Sequence, residues 1–317
     1  MVTLTQLEYI VAVEKFGNFS AAAKSCFVTQ PTLSMQIQKI EEELGVMIFN
    51  RSRQPITATA IGRKILDQSR VVLSESGLIR DLITKEKDSV EGDLRLAIIP
   101  TLAPYLLPLF LGDFSKNFPL VNLYVEESKT DDIIKGLKQN QIDIGLVVTP
   151  LDEPLLREHI IFHEPFYIYA SKDSELAGKK AIAEGDLQDQ ELLLLTEGHC
   201  MREQMLKVCR HQQTRYSNSL AKVQFESGSI ETLCHLVEKG NGYTVIPHLA
   251  KSWQDYRDGK IIPFISPSPS REVSLVVHRS FARESMLKAL ADCIKKSLPA
   301  ELRQLTIQTT TIGIHKS

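Results

Sequence analysis

From Thr5 to Lys15 the apolar residues Leu7, Ile10 and Val11 recur at helical spacing, and Gly17-Asn18 breaks the run. Ser20 then reads as the cap of a short Ala-rich helix, SAAAKSC, after which FVT turns the chain. Thr29 reads as the N-cap of a third helix, with Pro31 tolerated in its first turn and Gly45 at its end. On that helix Leu33, Ile37, Ile40 and Leu44 share one face, and Thr32, Met35, Gln36 and Lys39 share another. A single long helical pattern runs from residue 59 to about 87. In it Ile65, Val72 and Ile79 repeat every seven residues, with Ser69, Ser76 and Ile83 four further on. This is a loose heptad seam, weakened by the serines and by Gly77. It suits a dimerising helix and equally a helix lying on its own domain.

KDSVEG reads as a hinge. Beyond it, strand and helix patterns alternate: DLRLAII, a helix from Pro104 to Lys116, VNLYVEE, a helix from Thr130 to Leu137, then DIGLVV. FYIYAS, LLLLT, KVQFES, YTVIP and VSLVVH continue the series. This rhythm predicts an α/β domain with a largely parallel sheet, and PFISPSPSR reads as a crossing between two lobes. No internal repeat and no long low-complexity segment interrupts it.

Phe19 to Ile40 has the proportions of a helix-turn-helix. Ala21, Ala22 and Ala23 let two helices approach closely. The third helix then presents Thr29, Gln30, Thr32 and Gln36, short donors and acceptors able to read base edges or bond phosphates in a major groove. A generic three-helix core has the same apolar pattern, so the pattern leaves both readings open. Charge adds little: the net charge is −2, and the first 90 residues hold eleven Lys/Arg against ten Asp/Glu. Only Arg51, Arg53, Arg63 and Lys64 form a stretch without an acidic residue, which fits phosphate contacts, although charge alone favours a solvated surface.

No apolar run reaches the roughly 18 residues of a membrane span. The opening MVTLTQLEYI lacks a basic stretch followed by an apolar one, and the five cysteines are odd in number. Together these predict a protein of the reducing cytosol without a disulfide framework.

Two of the cysteines draw attention. In LLLLTEGHCMREQMLKVC, Cys200 opens a predicted helix and Cys209 lies near its far end. The helix N-terminus favours thiolate, and His199 and Arg202 are neighbours that would add to this. Peroxide attack on a thiolate yields a sulfenic acid, which condenses with a second thiol. Nine residues of continuous helix separate the two Cα atoms by about 13 Å, whereas a disulfide needs roughly 4.4–6.8 Å, so the bond requires the helix to be remodelled. Met201, Met205, Val208 and Cys209 share a face, which predicts that Cys209 is buried when reduced. Ordinary buried cysteine is the reading these residues favour by themselves, as it is for Cys26, Cys234 and Cys293, which sit among apolar neighbours.

The stretch LEYIVAVEKFGNFSAAAKSCFVTQPTLSMQIQKIEEELGVMIFNRS resembles, almost without gaps, the N-terminus of LysR-type transcriptional regulators. The resemblance implies a fold of class α + α/β. Its parts are a winged helix-turn-helix domain (residues 1–59, the helix-turn-helix at about 19–38), a dimerisation linker helix and hinge (60–88), and an effector domain (89–300). The effector domain would have two α/β lobes like those of periplasmic solute-binding proteins, 89–163 with 268–300 forming one and 164–267 the other, followed by a tail, 301–317. DNA contacts are expected from Thr29, Gln30, Pro31, Thr32, Ser34, Gln36, Arg51 and Arg53, with the wing around Arg51 to Thr59.

EGHCMREQMLKVC further resembles the redox segment of the peroxide-sensing members of that family, in its Gly-His-Cys run, the Gln four after the first Cys, and the step to the second Cys. This implies that Cys200 reacts with hydrogen peroxide and Cys209 resolves it. It also implies a small polar pocket of Thr101, Thr130, His199 and Arg271, in which threonine hydroxyls hold peroxide and a cation or hydrogen-bond donor stabilises the departing oxygen. A plain helix cap is the alternative role for Thr130. The implied partners are promoter DNA, a second copy or a tetramer, RNA polymerase and a cellular thiol reductant. No cofactor, metal or membrane is expected, and the protein is not expected to be an enzyme. Past about Pro299, ELRQLTIQTTTIGIHKS carries no recognisable signal and is assigned no role.

Other readings stay in view. A LysR-type regulator binding a metabolite between its lobes would have ordinary cysteines. A thiol peroxidase would share the reactive pair but has no place for the helix-turn-helix. A solute-binding protein would need an export signal.

Overall fold

In the computed structural model of the chain, residues 1–51, 55–86, 90–187, 191–209, 219–220, 223–224, 227–240, 242–252, 258–304 and 309–313 are described. They fall into two compact units, one built mainly from residues 1–89, the other mainly from 90–135, 142–279 and 284–317.

Caps decide where the first helices begin. Thr3 and Gln6 form a capping box at the start of α1 (Leu4–Phe16), and Gly17 ends the helix in the left-handed region. For α2 (Phe19–Ser25) the cap is Asn18, whose side chain accepts from the Ser20 and Ala21 N–H groups, and not Ser20 as the sequence suggested. Ser20 already lies inside the helix, one residue past its start. Thr29 caps α3 (Gln30–Leu44), and Gly45 ends it, as expected. Ile10, Val13, Leu33, Ile37, Ile40 and Leu66 make the core of this unit. Leu44, expected on the buried face, is 40% exposed because the helix runs out at its own C-terminus, past the elements it packs on.

A short antiparallel hairpin follows, β1 (Phe49–Asn50) with β2 (Thr57–Ala58), and then α4 (Ala60–Glu86). Gly62 lets α4 pass close to the hairpin base, since a Cβ there would stand 2.1 Å from the Ile48 carbonyl oxygen. In the heptad pattern of α4 Ile65 is partly buried and Val72 exposed, while the Ile79 and Ile83 side chains lie outside the described residues.

The second unit begins with β3 (Gly92–Ile98), α5 (Ala103–Asn117), β4 (Val121–Glu127), α6 (Thr130–Lys138), β5 (Ile144–Thr149) and the long β6 (Leu156–Ser171). It continues with α7 (Cys200–Val208), β7 (Ser219–Leu220), β8 (Val223–Gln224), α8 (Ile230–Lys239), β9 (Tyr243–Pro247) and β10 (Gly259–Pro263). The last elements are β11 (Ser268–His278), α9 (Glu284–Ser297), α10 (Ala300–Gln304) and β12 (Thr309–Thr311). The main sheet runs β10-β6-β11-β5-β3-β4, with β9 also on β6 and β12 on β11.

The expected largely parallel sheet is corrected to a mixed one. β3 pairs in parallel with β4 and β5, because α5 and α6 supply the crossovers that parallel neighbours need. β11 is antiparallel to β5 and β6, and β6 is antiparallel to β9 and β10. One strand therefore serves two neighbourhoods: β6 pairs with β11 over Leu156–Pro165 and with β9 and β10 over Phe166–Ser171. A strand that long was not visible in FYIYAS, whose apolar run covers only its buried end. LLLLT is not a regular strand either. Leu192 makes one isolated bridge to Tyr243, and the segment is held instead by single bonds to Tyr243, Ser227 and Thr244. Of KVQFES, only β8 and Ser227 belong to the described residues.

Candidate functional site

Helix α7 starts where the chain is forced to turn. Gly198 takes φ +85°, and a Cβ there would meet Lys129 Nζ at 3.0 Å. His199 is the N-cap in extended conformation, without a side-chain cap bond. Cys200 is the first helical residue and is half-buried. From there the helix runs unbroken, with the Cys209 N–H still bonded to the Met205 carbonyl at 3.0 Å. Met201 and Met205 are fully buried, and Cys209 is buried with them.

The surroundings of Cys200 are polar. Arg271, on β11, is completely buried, and its guanidinium pairs with the equally buried Glu164 of β6 at 2.8 Å. It also donates to Thr101 twice, to Oγ1 at 3.1 Å and to the carbonyl at 3.0 Å. The second carboxylate oxygen of Glu164 accepts from the Leu249 N–H at 2.7 Å. Breaking such a pair leaves an uncompensated charge in the interior, so Glu164 fixes the cation in place. Thr130 is the first residue of α6 and buried. Its Oγ1 has no partner of regular hydrogen-bond geometry, so it does not cap the helix. It lies beside the Cys200 thiol.

Burial pushes the Cys200 thiol up from its ordinary pKa. The Arg271 charge, the Thr130 hydroxyl and the backbone N–H groups of Met201 and Cys200 pull it down, and burial outweighs them. The sequence-based expectation of a thiol tipped toward thiolate by the helix end, His199 and Arg202 is therefore corrected. His199 has its own pKa lowered by burial and by the Lys129 charge, which favours a neutral ring. Arg202 turns away and donates to the Leu195 carbonyl at 2.7 Å. The cation acting on Cys200 is Arg271, from the far end of the sequence. At the other end of α7, burial pushes the Cys209 thiol up to about 12, while the hydroxyl of Tyr243 hydrogen-bonds it and pulls it slightly back.

Of the four expected pocket residues, Thr130 and Arg271 stand at the Cys200 thiol, and Thr101 joins them through its hydrogen bonds to Arg271. His199 stands at the edge, its ring against Gly228, where a Cβ would lie 3.1 Å from Nε2. Sequence reasoning missed Glu164 and Tyr243. A lone carboxylate entering the apolar run HEPFYIYA was the signal for the first; nothing local pointed to the second. Among the described residues no group of three or more His, Cys, Asp or Glu is placed to hold a metal ion.

In the first unit, Gln30, Pro31 and Thr32 are exposed on α3, and Ser34 and Gln36 are half-buried. Thr29 Oγ1 accepts from the Thr32 N–H, and the two hydroxyls lie 2.8 Å apart. Gln36 Oε1 accepts from Gln6 Nε2 at 3.3 Å, which orients its amide from inside. Arg51 is tied down: it pairs with Glu41 at 2.6 Å and lies over the Phe19 ring. Glu41 also accepts from the Ile48 and Phe49 N–H groups, so this carboxylate anchors the hairpin to α3. Arg53 lies outside the described residues. Two apolar side chains are exposed here, Phe27 in the turn between α2 and α3, and Met35 on the α3 face it was expected to share with Thr32 and Gln36.

A helix-turn-helix unit joined to a mixed α/β unit with a buried charged centre defines a regulator class, and comparison with known proteins places it. Residues 4–63 match the bacterial regulatory helix-turn-helix of the lysR family, and residues 87–299 match the LysR substrate binding domain. The chain belongs to the LysR family, whose members are transcriptional regulators and not enzymes. It is 31% identical over 307 residues to the hydrogen peroxide-inducible genes activator of Dickeya chrysanthemi, covering 96% of this chain and 99% of that one. It is 32% identical over 293 residues to the DNA-binding transcriptional dual regulator OxyR of Escherichia coli strain K12, covering 92% and 94%. The full-length OxyR of Pseudomonas aeruginosa, solved as a cysteine-to-aspartate variant, superposes with a TM-score of 0.78 at 34% identity, covering 93% of this chain and 98% of that one. No described helix is long and apolar enough to cross a membrane.

Proposed function

We propose that this chain is a hydrogen peroxide-responsive activator of oxidative-stress genes, switched by a reversible disulfide between Cys200 and Cys209. The observation that carries the reading is the pairing of unlike cysteines on one helix. Cys200 is partly buried at the helix N-terminus beside the buried Arg271 cation and the Thr130 hydroxyl, while Cys209 is sealed in the core among apolar side chains. The chain's relatives, a hydrogen peroxide-inducible genes activator and the regulator OxyR, support it.

Thr130 and Thr101 hold peroxide. The Cys200 sulfur, on losing its proton, attacks one peroxide oxygen and the O–O bond breaks. The departing hydroxide takes that proton and leaves as water, with Arg271 stabilising its charge. The product is a sulfenic acid on Cys200. The Cys209 thiol then attacks that sulfur, the S–O bond breaks, and a second water leaves as the disulfide forms. A cellular thiol supplies two electrons to reverse it. Because α7 is unbroken, the second step unwinds it, and that rearrangement is the signal.

Around this switch, residues 1–59 act as a winged DNA-binding domain, 60–88 as the dimerising linker, and 89–300 as a two-lobed effector domain. The chain works in the cytoplasm as a homodimer or homotetramer on promoter DNA and contacts RNA polymerase. Thr29, Gln30, Pro31, Thr32, Ser34 and Gln36 face the DNA. Arg51 serves by bracing the hairpin through Glu41 as much as by reaching a phosphate.

Non-reducing peptide mass spectrometry after a near-stoichiometric dose of hydrogen peroxide tests the reading. A Cys200–Cys209 linked peptide, with Cys26, Cys234 and Cys293 still free, is expected. Cys200 reacting no faster than those three would remove peroxide as the signal and leave a LysR-family regulator of a different ligand.

A further inference from the structure

The segment past residue 299 lies beyond the region that matches the LysR substrate binding domain, and its sequence carried no signal. In the structure it is not idle. β12 adds a parallel strand to the start of β11, pairing Thr309 with Ser268, Thr310 with Pro269 and Thr311 with Ser270, immediately before Arg271. The Ile312 N–H continues the pairing, donating to the Ser270 carbonyl at 2.8 Å. The next two carbonyls reach α7. Gln204 Nε2 donates to the Ile312 oxygen at 2.7 Å, and Lys207 Nζ donates to the Gly313 oxygen at 3.0 Å. Gln204 is fully buried, and Gln204 and Lys207 sit three residues apart on one face of α7, between the two cysteines. A single short segment thus binds both the strand that carries Arg271 and the helix that carries the thiols.

We infer that residues 309–313 are a strap that positions α7 for the redox step, holding it helical and keeping Cys209 in the core until the strap lets go. The inference rests on the Cys200–Cys209 reading. Closing the disulfide brings Cα atoms from about 13 Å, the span of nine helical residues, to roughly 4.4–6.8 Å. Unwinding α7 carries Gln204 and Lys207 away from acceptors that cannot follow, because their backbone is fastened to β11. The strap therefore opposes the second step, the attack of Cys209 on the Cys200 sulfenic acid. It does not oppose the first, which takes place at the helix N-terminus and needs no unwinding.

The test uses the whole chain beside three variants: truncation after Gln304, Ile312→Pro, which removes the N–H that joins the strap to β11, and Lys207→Met. Two rates are followed after mixing with hydrogen peroxide at concentrations where the second step limits. One is disulfide formation, by quenching and non-reducing mass spectrometry. The other is Cys200 sulfenic acid formation, trapped with dimedone in the same variants carrying Cys209→Ser. Each lost hydrogen bond is expected to raise the disulfide rate by about fivefold, with the sulfenic acid rate unchanged. The equilibrium with a glutathione buffer moves toward disulfide in the same order. If the truncated chain does not fold, Ile312→Pro and Lys207→Met decide alone. Disulfide formation at the full-chain rate in those variants overturns the strap, as does a parallel change in both rates, which would place its effect in the pocket. Absence of the Cys200–Cys209 disulfide in the unaltered chain overturns the function proposed above instead.

Discussion

The two ends of α7 are built on opposite principles. At its N-terminus Cys200 meets helix N–H groups, a buried guanidinium and a threonine hydroxyl, all of which favour a charged sulfur. At its C-terminus Cys209 meets Met205, Val208 and one tyrosine hydroxyl, and burial keeps it a neutral thiol. Even so, burial wins at both ends, and both thiols are harder to ionise than a free cysteine. What sets the two ends apart is what awaits the negative charge once it forms. A low pKa is one way to make a reactive thiol; placed donors for the product oxygen are another.

Removing the cation is the largest disturbance this contrast allows. Arg271→Met leaves Glu164 charged and alone in the interior, so urea unfolding should show a loss of roughly 3–5 kcal/mol. The peroxide reaction of whatever remains folded should slow by roughly 100-fold. Adding Glu164→Gln to the same chain should restore stability but not reactivity, since the pair is gone and the donor with it. Equal recovery of both would mean that Arg271 matters only for folding.

Acidity comes next in size. A Cys200 thiol with a raised pKa ionises late, so its second-order rate with peroxide should climb by about tenfold per pH unit through neutrality and toward the ordinary thiol range. A stopped-flow profile already level around neutral pH would show a resting thiolate and erase the distinction drawn above.

Tyr243→Phe acts on the other end. It removes one hydrogen bond, about 1 kcal/mol of stability in a thermal melt. Because that bond pulls the Cys209 pKa down, its loss should move alkaline titration of Cys209, followed by thiolate absorbance, to still higher pH. Thr130→Val should change stability least, by less than about 1 kcal/mol, since the hydroxyl has no regular partner to lose. It should still slow the peroxide reaction, because the hydroxyl favours the Cys200 thiolate. A Thr130→Val chain that reacts normally would take Thr130 out of the site.

Much of the first unit was legible because its information is local. Thr29, Gly17 and Gly45 bound helices through bonds to residues a few positions away, and Leu33, Ile37 and Ile40 keep the period of one helix face. The errors there were Ser20 for Asn18, a shift of two residues between two competent caps, and Leu44, exposed where its helix ends. In the second unit, the helix carrying both cysteines and the burial of Cys209 followed from spacing alone. What surrounds them did not. LLLLT looked like a strand, yet its backbone partners are scattered over Ser227, Tyr243 and Thr244. The sheet looked parallel because the rhythm of strand and helix says nothing of where β6 and β11 return.

The chain by itself determined which helices form, where they end, which of their faces are apolar, and that two thiols share one of them. These depend on contacts within a turn or two, and a sequence states them directly. Only the tertiary structure decided that Arg271, rather than Arg202, stands at Cys200, that Glu164 holds it there, and that residues 309–313 fold back onto α7. Those pairings join positions as far apart as 170 residues in Thr101 and Arg271. Long-range neighbours are chosen by the packing of the whole unit, and by the need of every buried charge for a partner, and neither is written in any local pattern.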